Sequence, residues 1–361
     1  MDDVSSFLKN AVETGASDLF IVSGLRLSAK VDGVINPVSE EIVMPEMANR
    51  LVSELYSLAQ RSPARYMEIG DDDFSLSVKG LSRFRVSTYK QRGSMAAVIR
   101  VVRFDLPDFK ALGIPDEVLS VSRKTRGLVL VTGPAGNGKS TTLAYITDAI
   151  NSSRNSHIIT IEDPIEFLHK NKKSVVSQRE INVDTESYIT ALRACLRQAP
   201  DVILLGEMRD LDTIRTAMTA AETGHLVIST LHTVGAVNTI DRIIDVFPPS
   251  QQQQIRIQLS MVLQTVISQQ LVLAESGKLH PVFEIMHLNS AIRNMIRDSK
   301  IHQIDAVIQS SSSEGMMSMD TSIFELYLKG TITLDTAVKY AYNVDQMERR
   351  ITAHKQKQSR A

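Results

Sequence analysis

The spacing of apolar and polar residues divides the chain into two regions with different patterns. In roughly the first hundred residues, stretches such as RFRVSTYKQRG (83–93) alternate apolar and polar positions, as strands with one buried face do. Residues 4–14 and 45–59 have helical spacing, and an Asp-Gly pair at 32–33 marks a hairpin turn. This region is therefore predicted to be a small α+β domain on an antiparallel sheet.

From residue 126 onward the apolar residues form short continuous runs, GLVLVTG, HIITIED, VILLGE and HLVISTL. Such runs are typical of parallel strands that are buried on both faces. Helical segments at 139–151, 185–198 and 210–222 separate them, so the fold class is predicted as α/β with right-handed crossovers. The predicted organisation is an N-terminal domain at 1–104, a linker at 105–122, a larger α/β domain at 123–345 and a disordered basic tail at 346–361.

Three further expectations concern the C-terminal third of the chain. The stretch SQQQQIRIQLSMVLQTVISQQLV (250–272) is predicted as helix, with six apolar residues on one core-facing stripe: Ile255, Leu259, Val262, Leu263, Val266 and Ile267. Residues 309–320, QSSSSEGMMSMD, are predicted to be a mobile loop, and MERRITAHKQKQSRA to be a fraying tail.

Composition excludes several classes of protein. The chain has 361 residues, 40 basic and 41 acidic, and no tryptophan, so nucleic-acid binding is not expected. A single cysteine, Cys195, rules out an internal disulfide framework and indicates the cytoplasm. The acidic start MDDVSSFLKN is unlike a secretory signal, and no apolar run reaches the length of a membrane span. We therefore expect no direct membrane insertion.

The stretch VLVTGPAGNGKSTTLAYI (129–146) contains the phosphate-binding pattern G-x-x-x-x-G-K-[ST] between an apolar strand and a helix. Glycines allow backbone N–H groups to turn toward an anion, Lys139 brings a positive charge to the outer phosphates, and Ser140 can bind Mg²⁺. A vestigial loop is the alternative. The predicted nucleotide-binding residues are Gly133, Pro134, Ala135, Gly136, Asn137, Gly138, Lys139, Ser140 and Thr141.

Acidic residues lie where two of the predicted strands end. Glu162, Asp163 and Glu166 fall in TIEDPIEF, and Glu207 follows DVILLG. Since ligands bind at the carboxyl ends of strands in open α/β sheets, one carboxylate could organise Mg²⁺ while another polarises the attacking water. Alternatively, the first two acids cap the following segment and Glu207 pairs with Arg209.

Four motifs together resemble those of the secretion-type ATPases. LRQAPDVILLGEMRD (196–210) looks like their signature, TIEDPIEF like their Asp box, and TGHLVISTLHTVGAVNTIDRIIDVFP (223–248) like their His box. The opening GASDLFI is similar to that of PilT-type twitching-motility ATPases. The resemblance implies a homo-hexameric ring of subunits, each with a PAS-like domain before a RecA-like motor domain, and ATP and Mg²⁺ as cofactors.

Carried over residue by residue, the resemblance makes Glu207 the Walker B acid, Glu166 the general base, and His225 and His232 the His-box pair. Arginines of the N-terminal domain would complete the site, with Arg83, Arg85, Arg100 and Arg103 as candidates. The chain departs from the usual pattern at Ala135, Asn137 and Ala199. The two departures in the phosphate loop lie at positions where the backbone makes the cradle, so binding is expected to survive.

The roles of the two histidines remain open between three interpretations. Metal binding is disfavoured, because His225 and His232 are seven residues apart without a cysteine cluster. A structural histidine is the second interpretation, and a sensor of the γ-phosphate is the third. His232 is the candidate sensor, because it follows a buried strand.

Two features bear on which way the motor works. Extension and type II secretion ATPases commonly carry a four-cysteine zinc module, which a chain with one cysteine lacks, so no zinc is expected. The stretch SAIRNMIRDSKIHQI (290–304) resembles a motif of the retraction ATPases; its residues are Ala291, Ile292, Arg293, Asn294, Met295, Ile296, Arg297 and Asp298. From its pattern alone this is a packing helix with solvated arginines.

The resemblance predicts an ATPase that powers pilus retraction in twitching motility. It would act in the cytoplasm, peripherally on the membrane through an inner-membrane pilus platform protein. An accessory retraction paralogue, a competence-pilus or secretion assembly ATPase, and a non-hydrolytic nucleotide switch are the alternatives.

Overall fold

The computed structural model describes residues 3–31, 33–102, 106, 109 and 112–358, with side chains up to residue 356. The chain divides into two compact units. The first contains residues up to 105 together with Pro164–Leu168, and the second contains the rest. The inclusion of five residues from the middle of the chain in the first unit was not evident in the sequence pattern.

The first unit is built on a six-stranded antiparallel sheet in the order β3-β2-β1-β6-β5-β4. Its buried residues alternate along β5 because one sheet face packs on the helices, and Val4, Phe7, Leu8 and Ala11 form the buried stripe of α1. The elements are α1 Val4–Glu13, β1 Asp18–Ile21, β2 Arg26–Val31, β3 Val34–Ile42, α2 Pro45–Leu58, α3 Ala64–Ile69, β4 Asp71–Val78, β5 Ser82–Gln91 and β6 Ser94–Val102. This confirms the predicted α+β class.

The second unit contains a seven-stranded sheet in the order β13-β12-β7-β11-β10-β8-β9. All neighbouring pairs are parallel except β12 with β13. Its first elements are α4 Asp116–Ser120, β7 Gly127–Thr132, α5 Lys139–Ser153, β8 His157–Glu162, β9 Val175–Glu180, α6 Tyr188–Cys195, β10 Val202–Leu205, α7 Leu211–Glu222 and β11 Leu226–Leu231. Every residue of β7, β10 and β11 is buried, which confirms the prediction of a parallel sheet covered on both faces.

The remaining elements correct the predicted long helix at 250–272. The helix α9 ends at Val262, and Leu263 begins β12, which pairs with β7 on one side and β13 on the other. A continuous apolar run fits a buried helix and a buried strand equally well, so its pattern did not identify the change. The elements are α8 Ala236–Asp245, α9 Pro249–Val262, β12 Leu263–Leu273, β13 Leu279–His287, α10 Ser290–Arg297, α11 Ile304–Ser310, α12 Met319–Leu328, α13 Leu334–Tyr340 and α14 Val344–Gln358.

The predicted mobile loop at 309–320 was also wrong, and so was the predicted disordered tail as far as residue 358; residues 359–361 lie outside the described part of the chain. Met316 and Met319 are buried, and Met317 forms a β-bridge with Ile285. The last helix, α14, is ordered because Met347 and Ile351, one turn apart, are buried in a cluster with α12 and α13. Most residues of this helix are polar, and for that reason the composition predicted disorder.

The predicted linker at 105–122 is only partly a connection. Ile114, Val118 and Val121 are buried in the core of the second unit, and the ring of Phe109 lies 6.0 Å from that of Tyr145. The C-terminal part of this segment therefore belongs to the second unit. Residues 105, 107, 108, 110 and 111 lie outside the described part of the chain.

Candidate active site

The strand order brings four of the predicted motifs to one edge of the parallel sheet. The phosphate loop follows β7, His232 follows β11, Glu207 follows β10, and Glu162 ends β8. These four strands are neighbours and run parallel, so their carboxyl ends meet at the same edge. The β11 strand lies between β7 and β10, and this places His232 between the phosphate loop and Glu207.

The phosphate loop has the conformation its glycines permit. Gly133, Gly136 and Gly138 all have positive φ, which other residues adopt only with strain. The ammonium group of Lys139 donates to the carbonyl oxygens of Gly133 and Pro134, each at 2.8 Å. Ser140 and Thr141 follow in the first turn of α5. A positive-φ loop ahead of a helix, with a lysine folded over it, fits a nucleotide's phosphates.

The loop is also attached to β12, which extends beyond the end of β7. The last paired residues of these two strands are Ser268 and Thr132. Beyond them, the side-chain oxygen of Asn137 accepts a hydrogen bond from the Leu271 N–H at 2.7 Å. Asn137 therefore provides an acceptor for a backbone N–H of β12 at a position beyond the end of β7.

Gln269 of β12 contacts both α5 and the phosphate loop, and sequence reasoning missed it. Its side-chain oxygen accepts from the Thr142 hydroxyl of α5 at 2.6 Å, and the residue is 3% exposed. A Cβ on Gly133 would overlap its carbonyl oxygen, and a Cβ on Gly138 would lie 2.9 Å from its Nε2. Gly133 is thus required for close approach to the backbone of Gln269 as well as for its φ, whereas Gly138 is required mainly for its φ.

His232 bridges the phosphate loop and Glu207. Its Nδ1 lies 3.5 Å from the Lys139 ammonium, and its Nε2 lies 3.2 Å from Oε2 of Glu207. Since an ammonium only donates, Nδ1 accepts and Nε2–H donates to the carboxylate, which defines the neutral Nε2–H tautomer. The side chain is 56% exposed, which does not fit a core histidine.

Glu207 has a second partner in Arg209. Its carboxylate forms an ion pair with the guanidinium of Arg209, whose side chain is largely exposed, while Glu207 itself is 12% exposed. The alternative pairing that the sequence left open is therefore present, together with the His232 contact. Because both oxygens of Glu207 have partners, its orientation is fixed in this state.

Tyr188, at the start of α6, is a second residue that sequence reasoning missed. Its hydroxyl lies 2.7 Å from where a Cβ of Gly206 would stand, directly before Glu207. Burial, together with the charges of Asp163 and Glu207, raises the pKa of Tyr188 well above its ordinary value, so the hydroxyl keeps its proton. The only hint in the sequence is a glycine before the acid, which signals close approach.

The acidic group at 162–166 is divided between the two units. Glu162 and Asp163 belong to the second unit, where Glu162 accepts from Thr160 at 2.7 Å and Gln178 at 3.2 Å. Glu166 belongs to the first unit and is exposed. The predicted set of three carboxylates is therefore not one cluster within a unit, because Pro164 directs the chain out of β8.

Within the first unit, Glu166 lines a cavity of about 230 Å³ together with Arg85 and Arg100. These arginines are directly opposite each other on β5 and β6, and Arg100 also binds Asp18 at 2.9 Å. Like charges placed opposite each other on a sheet repel, so such a pair suits an anionic partner. Arg83 lies two residues before Arg85 on β5, and Arg103 lies outside the described residues.

His225 is at the opposite edge of the sheet from the phosphate loop. It precedes β11, and its Nδ1 lies 2.9 Å from the Ala220 carbonyl oxygen and 3.2 Å from the Thr223 hydroxyl. Its own carbonyl oxygen accepts from Gly127, the first residue of β7. Six strand residues lie between His225 and His232, so the two are about 23 Å apart at the usual rise and are not brought together within one chain.

The helix α10 carries the stretch predicted as a retraction motif. Ile292 and Ile296 are fully buried in the main core cluster, while Ala291, Arg293, Asn294, Arg297 and Asp298 are exposed. The Arg297 guanidinium donates to Asn294 at 3.0 Å and to Asp298 at 3.2 Å. The helix therefore packs through its isoleucines and presents its polar side outward.

Two features are absent from the described residues. None of their helices is both long and apolar enough to span a bilayer. Nor do those residues contain a cluster of three or more histidine, cysteine, aspartate or glutamate side chains suited to a metal ion.

Comparison with known proteins identifies the family of this chain. The family model of the Type II/IV secretion system protein matches residues 1–360. The chain is 43% identical to the "Type IV pilus retractation ATPase PilT" of Pseudomonas aeruginosa, over 93% of this chain and 97% of that protein. It is 36% identical to the "Type IV pilus ATPase PilU" of the same organism, over 96% and 90%.

A solved structure gives the same result for the fold. The crystal structure of "the Pilus Retraction Motor PilT and Bound ADP" superposes with a TM-score of 0.89 at 44% identity, covering 96% of this chain and 99% of that one. Fold and sequence agree over nearly the whole length. The chain belongs to the Type II/IV secretion system protein family of ATPases.

Proposed function

We propose that this chain is the ATPase motor that retracts type IV pili and so drives twitching motility. The observation that carries the proposal is the bridge from Lys139 through His232 to Glu207, which links a phosphate loop to a carboxylate at one sheet edge. The 43% identity to a retraction ATPase over nearly the full length of both proteins supports the direction of the work.

In this proposal the residues of the loop from Gly133 to Thr141 hold the phosphates of ATP. Lys139 leaves the loop carbonyls to neutralise the outer phosphates, and Ser140 with Glu207 holds Mg²⁺. When bound, Mg²⁺ neutralises charge that develops on the phosphates. Glu166 is the proposed base, and Arg85 and Arg100 are the proposed arginines, from the same or a neighbouring subunit. Glu162 and Asp163 polarise the site from the end of β8.

His232 is the proposed sensor of the γ-phosphate. Its Nδ1 accepts from Lys139 in the present state, so movement of the ammonium onto a phosphate breaks one of its two contacts. The imidazole is then free to reorient relative to Glu207. Loss of the phosphate restores the contact, and this gives the site two discrete arrangements, as a motor requires.

The working assembly is proposed to be a homo-hexamer on the cytoplasmic side of the membrane. An inner-membrane pilus platform protein is the proposed partner, contacted without insertion of this chain into the bilayer.

The second candidate is a nucleotide switch that binds ATP without turning it over. The Glu207–Arg209 ion pair favours it, because that pair occupies one carboxylate oxygen. Phosphate release from saturating MgATP by the purified chain and by Glu207→Gln decides between them. A motor requires a rate that falls by two orders of magnitude or so in the variant; equal rates support the switch.

Two other candidates within the family share the ATPase activity and differ from a principal retraction motor only in their effect on the cell. An accessory retraction paralogue would leave some motility when its gene is deleted, and an assembly or secretion ATPase would leave cells without surface pili. Surface pili counted by electron microscopy in a deletion strain distinguish them from a principal retraction motor.

A further inference from the structure

The carboxyl group of Glu284 lies where the N-termini of two helices meet. Glu284 is on β13 and is 4% exposed. Its Oε1 accepts from the backbone N–H of Ala236, the first residue of α8, at 2.7 Å. The backbone N–H of Met319, the first residue of α12, lies on the other side and lowers the pKa of the carboxyl by favouring its charged form. One buried carboxyl therefore joins two elements that are distant in sequence.

The helix α8 depends on this contact because it has no side-chain cap of its own. Its N-cap is Gly235, which offers no acceptor for the free N–H groups of the first turn. Glu284 takes the place of the missing cap from another strand. The Gly235 N–H is held separately by the Ser268 hydroxyl of β12 at 2.9 Å.

These contacts fix the end of the segment that carries His232. We call residues 232–235, between β11 and α8, the His232 loop. Its first residue contacts Lys139 and Glu207, and its last residue, Gly235, is held by Ser268. Glu284 holds the next residue, Ala236. A shift of α8 therefore moves the proposed sensor through only three intervening residues.

The helix α12, at the other side of Glu284, belongs to the C-terminal helices. Met319 and Ile323 of α12 are buried in one cluster with Val272 of β12 and Met347 of α14. Asp320 of the same helix accepts from the Tyr342 N–H at 2.7 Å and the Asn343 N–H at 3.0 Å. Glu284 is thus the point at which the C-terminal helices and the His232 loop share a partner.

The ionisation of Glu284 is balanced between opposing effects. Burial raises its pKa to about 7, and the charges of Asp305 on α11 and Asp320 on α12 act in the same direction. The two backbone N–H groups favour the charged form. Tyr342, whose own pKa burial and Glu284 raise to about 12, faces the same cluster as a neutral phenol. The carboxylate accepts from α8 and is favoured by the nearby N–H of α12, whereas protonation removes its charge and turns one acceptor oxygen into a donor.

We propose that Glu284 is a positioning residue: its carboxylate ties the His232 loop to the C-terminal helices, and its protonation releases that tie and slows hydrolysis. The inference rests on the proposed role of His232 in the site. Glu284 acts through α8 and does not contact the phosphate loop. We therefore expect its substitution to change kcat for ATP and to leave the KM for nucleotide unchanged.

Glu284→Gln tests this with two readouts. The amide keeps one acceptor oxygen, replaces the other with a donor and removes the negative charge. We expect kcat for ATP to fall about fivefold at pH 8, equivalent to one hydrogen bond of about 1 kcal/mol, with KM unchanged. The wild-type rate should decline as pH falls through about 7, and this step should be missing in the variant. Hydrogen exchange of a peptide covering 232–240 should be faster.

Two further variants make the test independent of how Glu284→Gln folds. Asp305→Asn removes a charge that raises the pKa of Glu284, so the midpoint of the pH profile should move to lower pH with its amplitude kept. Glu275→Gln, on the exposed turn between β12 and β13, is the matched control and should leave the wild-type profile. Protonation of ATP over this pH range affects the rate of every variant equally, so it does not change the comparison.

Three results would overturn the inference, and they have different meanings. Unchanged exchange and kcat in Glu284→Gln would exclude the tie itself. Faster exchange with unchanged kcat would show that the His232 loop does not control hydrolysis and would contradict the proposed role of His232. An unmoved midpoint in Asp305→Asn would show that Glu284 is not the group that titrates.

Discussion

His232 Nε2 lies 3.2 Å from Oε2 of Glu207, at the carboxyl end of the sheet. The other imidazole nitrogen lies 3.5 Å from the Lys139 ammonium. We predict that His232→Ala lowers kcat for ATP by about tenfold or more, with nucleotide affinity within about twofold, because the loop that holds the phosphates is intact. Steady-state phosphate release and titration with a fluorescent ADP measure the two quantities.

His232→Gln is the informative control for that prediction. A glutamine amide can place a donor near the position of Nε2 and reach Glu207, but it has no acceptor at the position of Nδ1 and so does not serve both partners at once. Partial activity in His232→Gln and little in His232→Ala would support a bridging role. Wild-type kcat in His232→Ala would remove His232 from the mechanism.

Asn137 attaches the phosphate loop to β12 through its contact with the Leu271 N–H. Asn137→Ala should weaken ADP binding about fivefold, the effect of one hydrogen bond of about 1 kcal/mol, by leaving that N–H unpaired and the loop less ordered. Ala135→Ser, at the neighbouring departure from the family pattern, is the matched control. Equal affinities for all three proteins in a fluorescent-ADP titration would contradict the attachment.

Gly206 and Tyr188 form a close pair that a double mutant can test. Gly206→Ala places a Cβ 2.7 Å from the Tyr188 hydroxyl, so we expect a loss of about 1–3 kcal/mol in the free energy of unfolding and a lower kcat. Tyr188→Phe removes the hydroxyl and should recover part of both losses. Urea denaturation and phosphate release measure them. If the second substitution restores neither quantity, the contact with Tyr188 is not the cause.

The helix α10 allows folding and retraction to be separated. Arg293 is exposed, so Arg293→Ala should keep the ATPase rate and abolish twitching in a complemented deletion strain. Ile292 is fully buried, so Ile292→Ala should instead cost about 2–5 kcal/mol of stability and report on the core. Normal twitching with Arg293→Ala would show that this helix face has no role in retraction.

Much of the site could be predicted because its parts are local. The phosphate loop, the acid after β10 and the histidine after β11 each follow a short apolar strand, and parallel strands end at one edge. Only the order of the strands had to be known to see that these three parts meet. His225, seven residues earlier, shows the limit: the same motif spans the strand and therefore reaches both edges of the sheet.

The parts that could not be predicted depend on contacts between distant segments. Nothing near Gln269 in the sequence indicates that it supports Gly133 and Gly138, or that β12 replaces the end of a predicted helix. Glu166 is separated from Glu162 by only three residues, yet the two belong to different units. The tail looked disordered because its composition is polar, whereas two buried residues, Met347 and Ile351, are enough to hold it.

The direction of the motor is the central claim, and counting surface pili tests it most directly. Cells that carry only the Glu207→Gln protein, compared with cells that carry the wild type, should be examined by electron microscopy and on a twitching plate. The account predicts more surface pili than in the wild type and no twitching, because assembly continues without retraction. Cells without pili would contradict it and assign the chain to assembly.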